Sequence, residues 1–575
     1  MDITLRIGGE AGQGLQFIGT SLARIFSRSG LQVFTHQDYM SRIRGGHNFY
    51  QIRISDKEIH SSNETVDILL ALDNNTITVH KENLHQDGII VHDAKQTKHL
   101  GQESRTINIP FLELTEQLQL APIMANSAAI GAILGGLGLG LDLFPAAIEQ
   151  LLGKKGEEVV ASNLAVARAG SEYVRDSIAW PKHLTCTAAD DAPLMLINGS
   201  QAIGAGAVVS GCKFYAAYPM TPSTGIMIHI ASRAKEHGIA VEQAEDEIAA
   251  INMALGASFG GVRAMTGTSG GGFALMVEGL SLAGITELPV VIAEVQRPGP
   301  ATGLPTRTEQ GDLLFVLHAG HGEFPRVLFT PGTPEQAFHL TAKAFDLAEK
   351  YQIPAIIQSD QYLADAEWTY TDFDRSSLIL QDHRDRSVGG EERLYQRYRL
   401  TGTGISPLAV PGLSEKLVVV DSDEHDEDGH IIEDAETRIR MVEKRWIKKW
   451  PALRDEIEPP LLYGNGEPEI ILVGYGSTYG IMLDAVNILQ KKGPIAMMHF
   501  SEVWPFPDPG RHTYLNVLEN VRLAICVENN ATGQFERLVR SETGYVFPAR
   551  IRKYDGRPFL LEPFLEKINE LAGKI

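Results

Sequence analysis

Residues 2–35, DITLRIGGEAGQGLQFIGTSLARIFSRSGLQVFT, carry the reading that decides the fold. Ile3–Ile7 is a short apolar run suited to a strand, and Gly8-Gly9-Glu10-Ala11-Gly12-Gln13-Gly14 is a turn. From Leu15 to Ser29 apolar residues recur at helical spacing, and Leu31–Thr35 is again strand-like. A strand, glycine turn, helix and strand in that order predict an α/β fold with a parallel, doubly wound sheet. Strand patterns return at Ile68–Ala71 and Gly88–Val91, so residues 1–185 form one α/β unit in this reading. The glycine turn lacks GxGxxG spacing and has Asp38 as its one acidic candidate for a ribose contact. A phosphate cradle and a purely structural turn both stay open there. SRIRGGHN (Ser41–Asn48) sets Arg42 and Arg44 beside two glycines, which suits an anionic ligand, a partner surface or a solvated loop.

Outward from that unit, AADDAP (Ala188–Pro193) is a linker candidate, and a second α/β unit spans 194–440. It alternates strands at Lys213–Ala217, Arg263–Thr266, Pro289–Glu294 and Ala355–Ser359 with helices at Gln201–Ser210, Asp246–Phe259 and Pro334–Tyr351. Residues 370–460 are charged and less periodic. A third unit, 465–575, opens on EIILVGYGSTYG (Glu469–Gly480), once more a strand, glycine turn and helix start. The 575 residues carry a formal charge of −21, which argues against a nucleic-acid surface, since that needs a basic face. Cys186, Cys212 and Cys526 form no CxxC pair, so this chain cannot ligate its own iron–sulfur cluster with four thiolates. Scattered cysteines, no leader-like N-terminus and no membrane span predict a cytoplasmic location. The longest uncharged run, Gln117–Leu141, holds Pro122, Asn126, Ser127 and five glycines, and is expected to be a buried helix and turn.

Several motifs carry chemistry. Tyr218-Pro219-Met220-Thr221-Pro222-Ser223 follows a strand, and its prolines fix an extended loop with exposed hydroxyls. In VEQAEDEIAAINMALGAS, Glu242 and Glu245 are read as simple helix-terminal charges. Glu247 lies above Ile251 in the helical pattern and turns inward, where a buried carboxylate needs a partner such as a protonated heterocycle nitrogen. Gly267-Thr268-Ser269-Gly270-Gly271 fits GxSxG, so an α/β-hydrolase using Ser269 is one alternative, and a non-catalytic ligand-binding module is another. Arg297 follows an apolar strand and sits where open α/β sheets bind ligands, able to hold a carboxylate through two hydrogen bonds. The acidic run at 421–434 places Glu424, Asp426, Asp428 and Gly429 at EF-hand spacing, but Ala435 stands where a bidentate Glu is required, so calcium is rejected.

Taken in order, YPMTPS, EDEIAAINMALGAS, GTSGGG, QRPGPATGLPTRTEQGDL and VENNATGQ resemble the α subunit of 2-oxoacid:ferredoxin oxidoreductases, with the first ~185 residues similar to that family's γ domain. The resemblance implies three doubly wound α/β domains: γ-type, thiamine-pyrimidine-binding and transketolase C-terminal-like. It implies that Glu247 hydrogen-bonds the aminopyrimidine of thiamine diphosphate, so that the ring nitrogen can take the thiazolium proton. It also implies that Thr221 borders the 2-oxoacid, that Arg297 binds its 1-carboxylate, and that Thr306 lines the same pocket. Tyr218, Pro219 and Ser269 belong to the wall around the cofactor, and Asn530 and Thr532 are further cofactor candidates. RPGPATGLPTRTEQ and the γ–α order look more like the 2-oxoglutarate type than the pyruvate type, and Arg307 is the candidate for the second carboxylate.

No GDG motif for Mg²⁺ occurs, and TEQGDLL lacks the second glycine. No metal ligand is therefore assigned here. By the resemblance, Mg²⁺ and a 4Fe-4S cluster come from a β subunit in an α2β2 assembly. Coenzyme A is the co-substrate and ferredoxin the acceptor.

Overall fold

The computed structural model describes residues 1–41, 45–97, 105–188, 193–378, 381–384, 395–413 and 417–573. Arg42, Arg44 and most of the AADDAP stretch (189–192) lie outside the described residues. Two compact units are present: one of Met1–Ile197 with Ala366–Phe373 and Phe559–Ile568, the other of Asn198–Asp365, Asp374–Pro558 and Asn569–Ile575.

The first unit holds an eight-stranded sheet in the order Thr106–Asn108, Leu84–His92, Val66–Ala71, Asp2–Glu10, His47–Ser55, Gln32–Asp38, Glu367–Tyr370, Met195–Asn198. The opening strand pairs in parallel with Val66–Ala71. The next strand, Gln32–Asp38, does not lie beside it: His47–Ser55 inserts antiparallel between the two. The sheet is therefore mixed. Two distant segments complete the unit. Trp368 stacks edge-on against Phe34 at 5.2 Å, Tyr50 donates to Glu367 at 2.7 Å, and the Glu562 carboxylate accepts from the backbone of Glu64 at 2.7 Å.

The uncharged run Gln117–Leu141 contains a buried helix, Ala125–Leu137, packed on Glu157–Ser177. A Cβ on Gly131 would collide with the Ala167 carbonyl and one on Gly170 with the Ala128 carbonyl, so the glycines let two backbones touch. Among the described residues, no helix is long and apolar enough to cross a membrane.

The second unit contains two sheets. Seven strands run Glu502–Trp504, Val327–Phe329, Pro354–Asp360, Val290–Gln296, Arg263–Thr268, Cys212–Ala217, Ala240–Gln243, all parallel except the first. The five-stranded sheet runs Leu461–Gly464, Ile495–Phe500, Ile470–Tyr475, Leu523–Glu528, Ala549–Arg552, with only its first strand antiparallel. Strands buried on both faces read as continuous apolar runs, which is why their positions are visible in sequence.

The charged stretch after 395 is anchored by charge. Lys444 and Lys449 donate to the buried Glu287 carboxylate at 2.6 and 2.5 Å, while Arg397 donates to the Glu287 carbonyl at 2.7 Å. Burial alone would raise the Glu287 carboxyl, but these three cations hold it well below its ordinary value. In the acidic run, one Asp426 carboxylate oxygen accepts the N–H groups of Asp428 and His430 at 2.9 and 3.0 Å. Glu424 takes Arg445 through two bonds of 2.7 Å. Protein donors thus occupy the Glu424 carboxylate and one oxygen of Asp426.

Candidate active site

Every principal site candidate of the second unit follows the carboxyl end of a parallel strand. Tyr218 to Ser223 follow Cys212–Ala217, Glu247 comes four residues after Ala240–Gln243, Ser269 follows Arg263–Thr268, and Arg297 follows Val290–Gln296. A doubly wound sheet gathers such loops along one edge, because each strand must turn into a helix there.

Glu247 is the first residue of the helix Glu247–Phe259 and is only 3% exposed. Capping falls to Asp246, whose extended backbone lets its carboxylate accept from Ala249 N–H at 2.7 Å. Glu242, on its strand, and Glu245 are exposed and cap nothing, so the simple-capping reading of those two is corrected. With capping done elsewhere, Glu247 is free to turn inward. Its Oε1 is buried and receives no hydrogen bond among the described residues. A Cβ on Gly272 would stand 2.5 Å from that oxygen, so the glycine makes the carboxylate's room. Burial pushes the Glu247 carboxyl above its ordinary value, Asp246 adds to the effect, and Arg297 partly offsets it. An orphaned buried acceptor is costly unless something donates to it. A ring nitrogen that carries or shares a proton is a partner of the right chemistry, so these residues fit the pyrimidine half of a thiamine cofactor.

The Arg297 guanidinium donates to the Thr221 carbonyl at 2.7 Å, joining two of the candidate loops. It feels the charges of Asp312 and Glu247. Asp312 and Glu294, neither singled out from sequence, stand behind it. Glu294 is fully buried on strand Val290–Gln296, and its carboxyl hydrogen-bonds that of Asp312. The signal was in view: an acidic residue inside the apolar strand VVIAEVQ needs a reason to be buried.

Ser269 is fully buried and its hydroxyl meets Met220 Sδ at 2.7 Å. A thioether cannot take the proton of a nucleophilic serine, so the hydrolase alternative loses its base. Thr306 and Arg307 are buried in the loop after Arg297, where Arg307 Nη1 donates to the Thr306 carbonyl at 3.2 Å. Tyr218 is 42% exposed, and Pro219 is half-buried.

VENNATGQ fastens that loop to the five-stranded sheet. Gln310 N–H donates to the Asn529 carbonyl at 2.7 Å, Asn529 N–H donates back to Gln310 Oε1 at 2.9 Å, and Gln310 Nε2 donates to the Tyr475 carbonyl at 2.9 Å. Gln534 Oε1 accepts from Leu314 N–H at 2.9 Å. Asn530 is turned into its own turn, accepting from Gly533 N–H at 2.8 Å and donating to Glu528 at 2.9 Å, whereas Thr532 is exposed. Gln310 and Asn529 were not anticipated from sequence, although both lie inside the quoted motifs.

Residues 205–444 match the family model described as pyruvate flavodoxin/ferredoxin oxidoreductase, thiamine diP-bdg, and residues 4–173 match pyruvate ferredoxin/flavodoxin oxidoreductase. The chain is 31% identical to the 2-oxoacid:ferredoxin oxidoreductase subunit alpha of Saccharolobus solfataricus, over 100% of this chain and 98% of that one. It is 29% identical to the 2-oxoglutarate oxidoreductase subunit KorA of Mycobacterium tuberculosis, over 88% of this chain and 82% of that one. Among solved structures, the 2-oxoglutarate:ferredoxin oxidoreductase of Magnetococcus marinus, with 2-oxoglutarate, coenzyme A and succinyl-CoA bound, matches with a TM-score of 0.90. That match has 29% identity and 99% coverage of both chains.

Proposed function

Because this chain belongs to the 2-oxoacid:ferredoxin oxidoreductase family, as an alpha subunit, we propose that it oxidatively decarboxylates 2-oxoglutarate with coenzyme A. The products are succinyl-CoA and CO2, and the two electrons pass singly to ferredoxin. The observation that carries this reading is the buried, donor-less Oε1 of Glu247 beside Arg297 at the ligand-binding edge of the sheet. The name of the M. tuberculosis relative and the ligands of the M. marinus enzyme support 2-oxoglutarate as substrate. Pyruvate is the second reading, favoured by the description of the matching family models.

Thiamine diphosphate, when bound, supplies the carbon nucleophile for the ketone and accepts the electron pair left by CO2. Glu247 would hold a proton at Oε1 toward the pyrimidine nitrogen, and burial raises its carboxyl in the direction that favours holding it. Arg297 orients the 1-carboxylate, Thr221 and Thr306 border the substrate, and Arg307 receives the distal carboxylate. Tyr218, Pro219 and Ser269 wall the cofactor, with Asn530 and Thr532 further out.

A partner β subunit supplies the diphosphate-binding half, Mg²⁺ and the iron–sulfur cluster. Two observations support this. Ile248 and Met253 on the Glu247 helix and Leu275 on Gly270–Thr286 are 49, 40 and 49% exposed, an apolar face beside Glu247 that suits a covering chain. The three cysteines are also free and buried, and three thiols with no CxxC pair fall short of the four thiolates of a cluster. Co-purification from the native source, with iron, thiamine and ferredoxin-reduction assays, tests the reading. A complex that reduces no acceptor with any 2-oxoacid and coenzyme A would sink it.

A further inference from the structure

We infer that Glu294 and Asp312 share one proton and act as a positioning pair that presents Arg297 to the substrate's 1-carboxylate; this rests on the assignment of Arg297 made above. The pair is built from one face of strand Val290–Gln296. Glu294 and Gln296, two residues apart, point to the same side. Gln296 Oε1 accepts the backbone N–H of Asp312 at 2.9 Å, and the Glu294 carboxyl meets the Asp312 carboxyl. Asp312 in turn lies against the start of helix Gly270–Thr286, where a Cβ on Gly270 would collide with its Oδ2.

Two carboxylates cannot hydrogen-bond to each other, so one proton must lie between them. The structure indicates its home. Glu294 Oε2 accepts from Gln358 Nε2 at 3.1 Å, whereas Oε1 receives no donor among the described residues. A protonated Oε1 that donates to Asp312 satisfies both. Glu294, fully buried, is the group for which ionisation costs most; burial raises the Asp312 carboxyl too, but the bond to Glu294 and the charge of Arg297 offset part of that, so the pair's charge rests on Asp312.

Charge counting gives the function. With its proton, the pair carries one negative charge, matched by Arg297, and an incoming carboxylate meets no excess anion. Without it, two buried negative charges stand behind the guanidinium and oppose the substrate's own. The other charged groups that bear on these three are Glu247 on Arg297, Glu309 on Asp312, and Asp360 on Glu294. Burial, reinforced by Asp312, raises the Glu294 carboxyl well above its ordinary value, the direction that favours keeping the shared proton.

The test uses the complex with its partner subunit. Glu294→Gln keeps a neutral donor toward Asp312 at every pH, and Glu294→Ala does not. For 2-oxoglutarate at neutral pH, Glu294→Ala should lower kcat/KM about tenfold, chiefly through KM, the scale of one charge-assisted hydrogen bond, and Glu294→Gln should lose clearly less. The wild type should lose kcat/KM as rising pH removes the shared proton, and that fall should flatten in Glu294→Gln. Independently of activity, the infrared band of a buried carboxylic acid should be present at neutral pH and vanish in Glu294→Gln. An unchanged alkaline limb together with an unchanged band would overturn the shared proton, even if Glu294→Ala fails to fold. Arg297→Ala in the same series separates the two readings. An unchanged KM there would overturn the carboxylate anchor, whereas a raised KM with the first pair of results would overturn the positioning pair alone.

Discussion

Replacing Glu247 by glutamine tests the central assignment, because the swap changes charge and proton affinity while keeping shape. Glutamine fits the space left by Gly272 and preserves the backbone start of the helix, whose cap is Asp246. General acid–base work by one positioned side chain contributes roughly 10²- to 10⁴-fold, so turnover of the assembled complex should fall by about 10²-fold or more. Stability should move the other way. A carboxyl whose folded value is raised contributes most to stability at acid pH and loses that contribution as the pH rises through its folded value. In the isolated chain at neutral pH, Glu247→Gln should therefore melt at or above the wild type, and the gap should close as the pH falls toward about 4. Asp246→Ala is the control, expected to cost about 1 kcal/mol of stability as a lost cap. The assays are 2-oxoacid-dependent ferredoxin reduction by the complex and thermal melts of the isolated chain. Turnover within about threefold of wild type, in a complex with normal thiamine content, would refute the reasoning.

Other substitutions probe the surroundings. Gly272→Ala should behave against helix propensity: alanine ordinarily gains about 1 kcal/mol over glycine in a helix, but here the methyl group displaces Glu247, so turnover should drop with Glu247→Gln-like severity. Arg297→Ala should weaken every 2-oxoacid, whereas Arg307→Ala should lower kcat/KM for 2-oxoglutarate by roughly ten- to a hundredfold and spare pyruvate; equal losses on both would remove Arg307 as distal-carboxylate ligand. Glu287→Gln should destabilise by about 3–5 kcal/mol, since it strands Lys444 and Lys449 in the interior, and urea denaturation reads this directly.

The strands at Arg263–Thr268, Val290–Gln296 and Pro354–Asp360 were legible to within two residues, because fully buried parallel strands are apolar runs ended by glycine, proline or polar residues. Glu247 was legible for the same kind of reason: its i+4 partner Ile251 is core. What sequence could not give is pairing at a distance. Glu367–Tyr370 completes the sheet of the first unit from more than 300 residues away, and four residues of ordinary composition announce no such partner. The insertion of His47–Ser55 beside the opening strand is likewise a matter of register, set by which edges meet rather than by local pattern. Gln310 and Asn529 escaped notice because reciprocal backbone and amide bonds leave no compositional trace. Their bonds make VENNATGQ the fastening between the loop after Arg297 and the five-stranded sheet.

The two most telling glutamates of the second unit are both almost completely buried, and burial alone cannot distinguish their roles. Partners can. Glu287 meets two ammonium groups and is held below its ordinary value, so it supplies stability above its unfolded value that is lost as the pH falls. Glu247 Oε1 meets no donor among the described residues and the carboxyl is raised, so the isolated chain bears a cost that grows with pH. A fold retains an unrelieved cost of that kind where a ligand removes it, and the ligand must present a hydrogen-bond donor at Oε1. Opposite pH trends of stability for Glu247→Gln and Glu287→Gln would thus separate the glutamate proposed to face a cofactor from the one that holds the chain together.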